Sequence, residues 1–343
     1  MEYSAIDLHL RHSQIRIVEA DGSVVLDRRI PTSQEGFASV FGGRPRMRIL
    51  LETGTESEWV AQCLEAHGHE VIVADPNYAL MYGARQRRVK TDQRDVAALA
   101  EACRLGIYRP AHRVSAEQRQ RRRELRVREQ LVRVRTQAIN LLRAQLRQEG
   151  YRLPSGSAEA VGKRYAQLVV PAALHQALAP LLDLLAHLAP ALKQAGEAAR
   201  AQAAADPIVQ RLMTAPGIGP ITALTYRATV DDIHRFTDAG SASAFFGLVP
   251  QENSSGERQR RGRITKAGPP VARSLLIQAA WVVWRQQTGG GALHAWVTRL
   301  ADRRGKRVAV VALARRLSRI LYAMWRDGTE YRLASGPAQT SDV

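Results

Sequence analysis

The chain has 343 residues and carries 50 Lys and Arg against 32 Asp and Glu, a formal net charge of +18 with a sequence pI near 10.8. Its hydrophobic share of 45% excludes a disordered polymer, and its length gives room for two or three domains with separate cores. A surplus of this size calls for a polyanionic partner, nucleic acid before a membrane surface, since no apolar run approaches the roughly 18–20 residues of a spanning helix.

The start, Met1 to Asp7, has no basic segment followed by an apolar one. Cys63 and Cys103 stand far apart in no metal-ligand spacing. Both features lead us to expect a cytoplasmic protein with two reduced thiols and no membrane partner.

In chain order, Tyr3 to Asp7 is a short strand ending in an acid, and Gln14 to Val18 alternates as a half-buried strand does. Asp21-Gly22 supplies a turn and Val24 to Ile30 the returning strand. Ser33 to Phe41 predicts a short helix opened by Thr32 or Ser33. Met47 to Glu52 is an apolar strand that also ends in an acid. Glu58 to Ala66 has helical periodicity, and Glu70 to Asp75 is a further strand. Three strands followed by alternating helices and strands predict an α/β domain with a mixed sheet, covered on both faces, over residues 1–112.

Lys90 to Ala98 opens the next helix, and its Asp92 and Asp95, three apart, project from one helical face. Taken singly, Asp92 reads as a helix cap, Asp7 as a turn residue and Glu52 as a solvated strand end. Taken together, they put an Asp on the first strand, a Glu on the fourth and two Asp on a later helix. That is the carboxylate layout of ribonuclease-H-like nucleases and recombinases. Hard oxygen ligands of this kind suit Mg2+ or Mn2+, and two such ions about 3.5–4 Å apart can act on both sides of a phosphodiester. The structural alternative is an acidic cluster neutralised by arginines.

Residues 113–205 predict a helical, coiled-coil region. Arg119 to Arg152 holds eleven arginines against three glutamates, with Leu125, Val132, Ile139 and Leu146 at heptad spacing. The acids are too few to neutralise Arg121, Arg122, Arg126, Arg133 and their neighbours, so these favour phosphate contacts over a solvated coiled-coil face. Pro171 to Ala205 predicts the returning arm, interrupted at Pro180 and Pro190, with its leucine stripe as core.

Residues 206–334 predict a third, mainly helical domain. Pro216-Gly217-Ile218-Gly219 between two apolar helical runs matches a helix-hairpin-helix turn; Gly217 and Gly219 either let a phosphate approach backbone amides or simply make a tight turn with no ligand. Ser254-Ser255-Gly256 lies in a loop followed by Arg258, Arg260, Arg261, Arg263 and Lys266, with Arg273 on the next helix. These cations could hold a phosphate against a hydroxyl. Trp281 and Trp284 read as core, Arg315, Arg316 and Arg319 as exposed, and residues 335–343 as a disordered tail.

Ile6-Asp7-Leu8-His9, Leu51-Glu52-Thr53-Gly54 and Lys90-Thr91-Asp92-Gln93-Arg94-Asp95 resemble the amino half of the DEDD-type insertion-sequence transposases, the IS110 family of the Piv and MooV invertases. Pro216 to Gly219, Phe246 to Pro250, Ser255-Gly256, Ile264 to Gly268 and Gly305-Lys306 resemble its carboxy half. The order of these motifs along the chain carries more weight than any one of them. The sequence departs at Leu10, where a basic residue is common, and at Pro269-Pro270, where a more polar pair is usual.

This resemblance implies a RuvC-like ribonuclease-H-fold domain, a coiled-coil insert and a carboxy-terminal transposase domain. It implies that Asp7, Glu52, Asp92 and Asp95 hold divalent metal, about two Mg2+ or Mn2+ per site, and that Ser255, with Ser254 in reserve, attacks DNA. It further implies a structured bridge RNA that selects donor and target double-stranded DNA, and a homo-oligomer, a dimer or tetramer, with sites composed from different subunits. The expected activity is DNA strand cleavage and exchange through a serine-DNA link. The rivals are a RuvC-like junction-resolving nuclease with water as nucleophile, and an architectural nucleic-acid-binding protein.

Overall fold

The structure is a computed structural model that describes residues 1–82, 92–252, 261–286 and 291–332. It divides into two compact units, Met1–Arg113 and Val114–Val343. Ser254, Ser255, Arg258, Arg260, Lys90, Thr91 and the tail from Ser335 lie outside the described residues.

The first unit runs β1 (Tyr3–Leu8), β2 (His12–Val18), β3 (Val24–Pro31), α1 (Gln34–Phe41), β4 (Arg48–Glu52), α2 (Ser57–Ala66), β5 (Glu70–Ala74) and α3 (Asp92–Leu105). Its strands make one sheet in the order β3-β2-β1-β4-β5. The first three form an antiparallel meander, and β4 and β5 run parallel to β1. α1 begins where the Ser33 hydroxyl accepts from the Gly36 amide at 3.0 Å, one of the two caps expected from the sequence.

The two-residue period of the strands sorts side chains between two cores. Ile6, Ile15, Ile49 and Leu51 pack against Phe37, Phe41, Val60 and Leu64 of α1 and α2. Ala5, Leu50 and Ala74 pack on the other face against Val96, Leu99 and Cys103 of α3. Each fully buried side chain of Ile, Leu or Phe size contributes about 1.5–3 kcal/mol. A one-residue slip of β1 would exchange the two faces, so the register is strongly held.

The second unit runs α4 (Ala116–Gln148), α5 (Val161–Tyr165), α6 (Ala172–Ala205), α7 (Pro207–Met213), α8 (Pro220–Val230), α9 (Ala239–Phe245), β6 (Pro250–Glu252), β7 (Arg261–Ile264), α10 (Pro270–Arg285), α11 (Gly291–Arg304) and α12 (Lys306–Arg326). α4 and α6 pair antiparallel: Gln202 bonds Glu124 near one end, while Ile139, Leu142 and Leu146 pack with Leu178 and Leu185 near the other. The α4 stripe is divided between two cores, because Leu125 packs against the core of α8, α10 and α12.

Several expectations are corrected. α6 is continuous through Pro180 and Pro190. Both prolines are exposed, so each missing N–H frees a carbonyl on the solvent side, where water satisfies it. α6 also reaches the length and composition of a membrane span, with a mean hydropathy of 1.2 over its most apolar window. The expectation of no such run overlooked how many alanines lie between its leucines. Trp281 and Trp284 do pack against the core of the second unit, at its edge, partly buried and stacked on each other with ring centroids 5.3 Å apart. Arg315 is half-buried, not exposed. α11 and the β6–β7 hairpin were not anticipated.

Candidate metal centre and nucleic-acid interface

The strand period that places Ala5 under α3 places Asp7 on the same face, and the step from Leu50 to Glu52 does likewise. Ile6 pairs with Leu51 in parallel register, so Asp7 and Glu52 leave the sheet at the carboxyl ends of adjacent strands. α3 packs across β1, β2 and β4 through the stripe Val96, Leu99 and Cys103. Asp92 and Asp95 form its first turn, where the helix dipole favours negative charge. Asp95 is buried, Asp7 and Glu52 are half-buried, and Asp92 is exposed.

Asp92, Glu52 and Asp95 are all near enough for their charges to bear on Asp7, but among the described residues only Asp92 joins Asp7 and His9 in one metal-sized group of donor atoms. The Asp7 carboxyl is pushed above the usual range, first by burial and then by the charges of Asp92, Glu52 and Asp95; His9 acts in the opposite direction. His9 Nε2 lies 3.5 Å from Asp7 Oδ2 and 3.6 Å from Asp92 Oδ1. Ligand atoms of Asp7, His9 and Asp92 all fall within 4.8 Å of one another. Crowded like charges on hard oxygen donors are what a divalent cation neutralises, so the residues fit one. His9 belongs to the Ile6–His9 motif, and the linear sequence alone assigns it no role. Its signal was the two-residue spacing from Asp7, which returns a side chain to the same face.

The proposed phosphate-binding arginines separate into two groups. Arg121 is spent inside the second unit: it pairs with Asp206 and Glu117, and its side chain is 13% exposed. Arg122 donates to the carbonyls of Ala228 and Thr229 at 2.7 and 2.9 Å. Both tie α4 to neighbouring elements, a correction that sequence counting could not supply. Arg126 and Arg133 are exposed, and both line a groove of about 810 Å³ whose other walls carry Thr222 and Thr225 of α8 and Ser274 and Gln278 of α10. Arg128 and Arg135 line it as well. The Arg128 guanidinium is held below its usual value by burial and by the charges of Arg135 and Arg200.

In the turn between α7 and α8, Gly217 has φ +75°, and a Cβ there would sit 2.6 Å from the Ala279 carbonyl oxygen. Gly217 thus serves close packing on α10, while Gly219 caps α8 with open space around it. Arg263 and Lys266 are exposed, and Arg261 opens β7. Arg273 is a clamp: its Nη1 donates to the carbonyls of Phe246 and Ala267 at 3.1 Å each, joining the segments that lead into and out of the hairpin.

The family model described as a transposase of the DEDD, IS110 type matches residues 5–150, and that of the transposase IS116/IS110/IS902 family matches residues 209–294. The chain is similar to the transposase for insertion sequence element IS1111A of Coxiella burnetii, 32% identical over 91% of this chain and 86% of that one. A Sinorhizobium fredii relative, also named as a transposase, is 31% identical over 96% of this chain and 85% of its own. The transposase for element IS1328 of Yersinia enterocolitica is 29% identical over 95% and 97%. A DEDD transposase domain suggests divalent metal use, in keeping with the crowded acids on β1, β4 and α3. On this identity across most of both chains, the protein belongs to the IS110 family of insertion-sequence transposases and is a DNA-recombining enzyme.

Proposed function

We propose that this transposase cleaves and exchanges DNA strands with Asp7, Glu52, Asp92 and Asp95 as ligands of Mg2+ or Mn2+, two per site, in a RuvC-like domain. The observation that supports the reading is the approach of Asp7 and Asp92 donor atoms within 4.8 Å, with Glu52 at the end of β4 and Asp95 on α3 near enough to act on the charge of Asp7. The strand order β3-β2-β1-β4-β5 supports the fold assignment. Bound cation supplies charge neutralisation and Lewis-acid activation at the scissile phosphodiester.

The Ser255 hydroxyl attacks phosphorus and the bond to the 3′ oxygen breaks. The serine proton leaves to water and the departing 3′ oxygen takes one up. The products are a serine ester of the 5′ phosphate and a free 3′ hydroxyl. A 3′ hydroxyl of the partner strand then attacks that ester, joining the strands and restoring the serine. Arg258, Arg260, Arg261, Arg263 and Lys266 hold the phosphate near the hydroxyl. Arg126 and Arg133 bind nucleic-acid backbone in the groove of the second unit. A structured guide RNA selects donor and target DNA, and the enzyme works as a dimer or tetramer with α4 and α6 forming its coiled-coil region.

The decisive test replaces Ser255 with Ala and looks for protein-linked DNA on denaturing gels. The proposal expects loss of the link and of cleavage together. Cleavage that survives in Ser255→Ala but is lost in Asp92→Ala would make water the nucleophile and the protein a junction-resolving type of nuclease. Sequencing of RNA that copurifies with the protein tests the guide.

A further inference from the structure

We propose that His9 is a direct ligand of the divalent cation, giving this site a nitrogen donor beside its carboxylates and tilting it from Mg2+ towards Mn2+. The inference rests on the metal reading above and adds a residue that the four-acid pattern does not contain.

Three observations carry it. His9 Nε2 stands between two carboxylates, 3.5 Å from Asp7 Oδ2 and 3.6 Å from Asp92 Oδ1. The three donor atoms lie within 4.8 Å of one another. Donors to one octahedral ion at about 2.1 Å sit roughly 3 Å apart when adjacent and roughly 4.2 Å when opposite. These three atoms therefore need only small side-chain rotations to share an ion. Second, the His9 backbone is anchored. Its carbonyl accepts from Thr32 Oγ1 at 2.8 Å, and Thr32 Oγ1 shares a hydrogen bond with Ser13 Oγ at 2.7 Å. The ring thus hangs from a fixed point at the end of β1 rather than from a loose loop. Third, His9 and Asp92 are exposed while Asp7 is half-buried, which leaves an entry path for a hydrated ion.

The competing account is that His9 is a place-holder that bridges Asp7 and Asp92 and gives way when metal arrives. The two accounts predict opposite effects of removing the ring. A ligand takes affinity with it, and more for Mn2+ than for Mg2+, because imidazole suits the softer ion. A place-holder competes with metal, so its loss leaves affinity unchanged or raises it.

The test uses Mn2+ alone as the probe, with full-length protein in three forms: wild type, His9→Ala and Asp92→Asn. Free Mn2+ counted by electron paramagnetic resonance reports affinity, and electron spin-echo modulation reports nitrogen bound to the ion. We expect imidazole nitrogen modulation in the wild type that disappears in His9→Ala. Mn2+ affinity should fall about tenfold or more in that variant, with a smaller loss for Mg2+ measured by competition. Mn2+ binding that depends on Asp92 but shows no nitrogen modulation, or that His9→Ala leaves intact or strengthens, overturns the His9 assignment and spares the carboxylate reading. Mn2+ binding indifferent to Asp92 overturns the carboxylate reading itself, and the His9 assignment with it.

Discussion

Asp206 and Asp7 are carboxylates withdrawn from water, one in each unit, and the protein treats them in opposite ways. Asp206 caps α7, accepting from the amides of Ile208 and Val209 at 2.9 and 3.2 Å, and pairs with Arg121, with Arg227 Nε 3.8 Å away. Burial is the largest influence on its carboxyl and acts upward. The bonds and charges of Arg121, Val209 and Arg227 nevertheless hold it below the usual range. Asp7 is likewise pushed upward by burial, but three further acids push the same way and His9 alone is its counterweight among the leading influences. A buried acid with its cations built in is a structural device. A half-buried acid crowded by other acids leaves its charge to be balanced from outside, which is the arrangement of a metal centre.

The largest expected effect lies on the unbalanced side. Asp7→Asn removes a central donor and should lower DNA strand cleavage about a thousandfold or more, since a bound cation supplies several kcal/mol at the transition state. Circular dichroism should be unchanged, and cleavage of an end-labelled duplex is the measurement. Cleavage within tenfold of wild type would remove the contrast between the two acids.

On the balanced side, Asp206→Ala loses a helix cap and leaves Arg121 with Glu117 as its remaining carboxylate. The lost cap and charged hydrogen bond together cost about 2–4 kcal/mol, read from the shift of a urea unfolding curve. The pH dependence follows from the lowered carboxyl. Its stabilisation is fully present above the unfolded value and is lost as pH falls through the lower folded one. Asp206→Asn should therefore flatten the acid limb of stability below about pH 4. A limb of unchanged steepness would mean that Arg121 does not hold this charge.

Much of this contrast was legible in the sequence, and what was not has a physical reason. Period-two strands and the i, i+3 acids of α3 are local patterns, so β1, β4, α3 and the four carboxylates could be read residue by residue. The fate of each arginine could not. Arg121 and Arg126 look alike along the chain, yet one faces Asp206, eighty-five residues away, and the other faces solvent. His9 escaped notice because its chemistry appears only once α3 brings Asp92 beside it. Pro180 and Pro190 look like breaks along the chain, but on an exposed helix face water takes up each freed carbonyl and α6 runs through both. Of the two readings of Gly217, a phosphate opening or a plain tight turn, its close approach to the backbone of α10 favours the second.

A smaller effect sharpens the electrostatic half of the comparison. In excess chelator, Asp92→Asn relieves repulsion on Asp7 but gives up the favourable charge at the start of α3, so it should move stability by no more than about 0.5 kcal/mol, the Asp92 side chain being 56% exposed and screened. Adding Mn2+ should put wild type clearly ahead, since it then gains the binding energy that the variant has lost. Melting curves with and without metal read the difference. A gap between the two proteins that Mn2+ leaves unchanged would mean that Asp92 holds no cation.

The smallest expected effect carries the comparison over to the cations. Arg126 is exposed in the groove between α4, α8 and α10, whereas Arg121 is committed to Asp206. Arg126→Ala should leave unfolding unchanged. It should weaken duplex binding modestly at low salt and reduce the slope of log affinity against log salt by about 0.9, the value for one phosphate contact. Arg121→Ala should do the reverse, costing stability and leaving the slope intact, because an arginine already neutralised by a buried carboxylate releases no counterion from DNA. Equal slopes in wild type and Arg126→Ala would move the backbone contact off this groove, leaving Arg263 and Lys266 beside the β6–β7 hairpin as the next cations to replace.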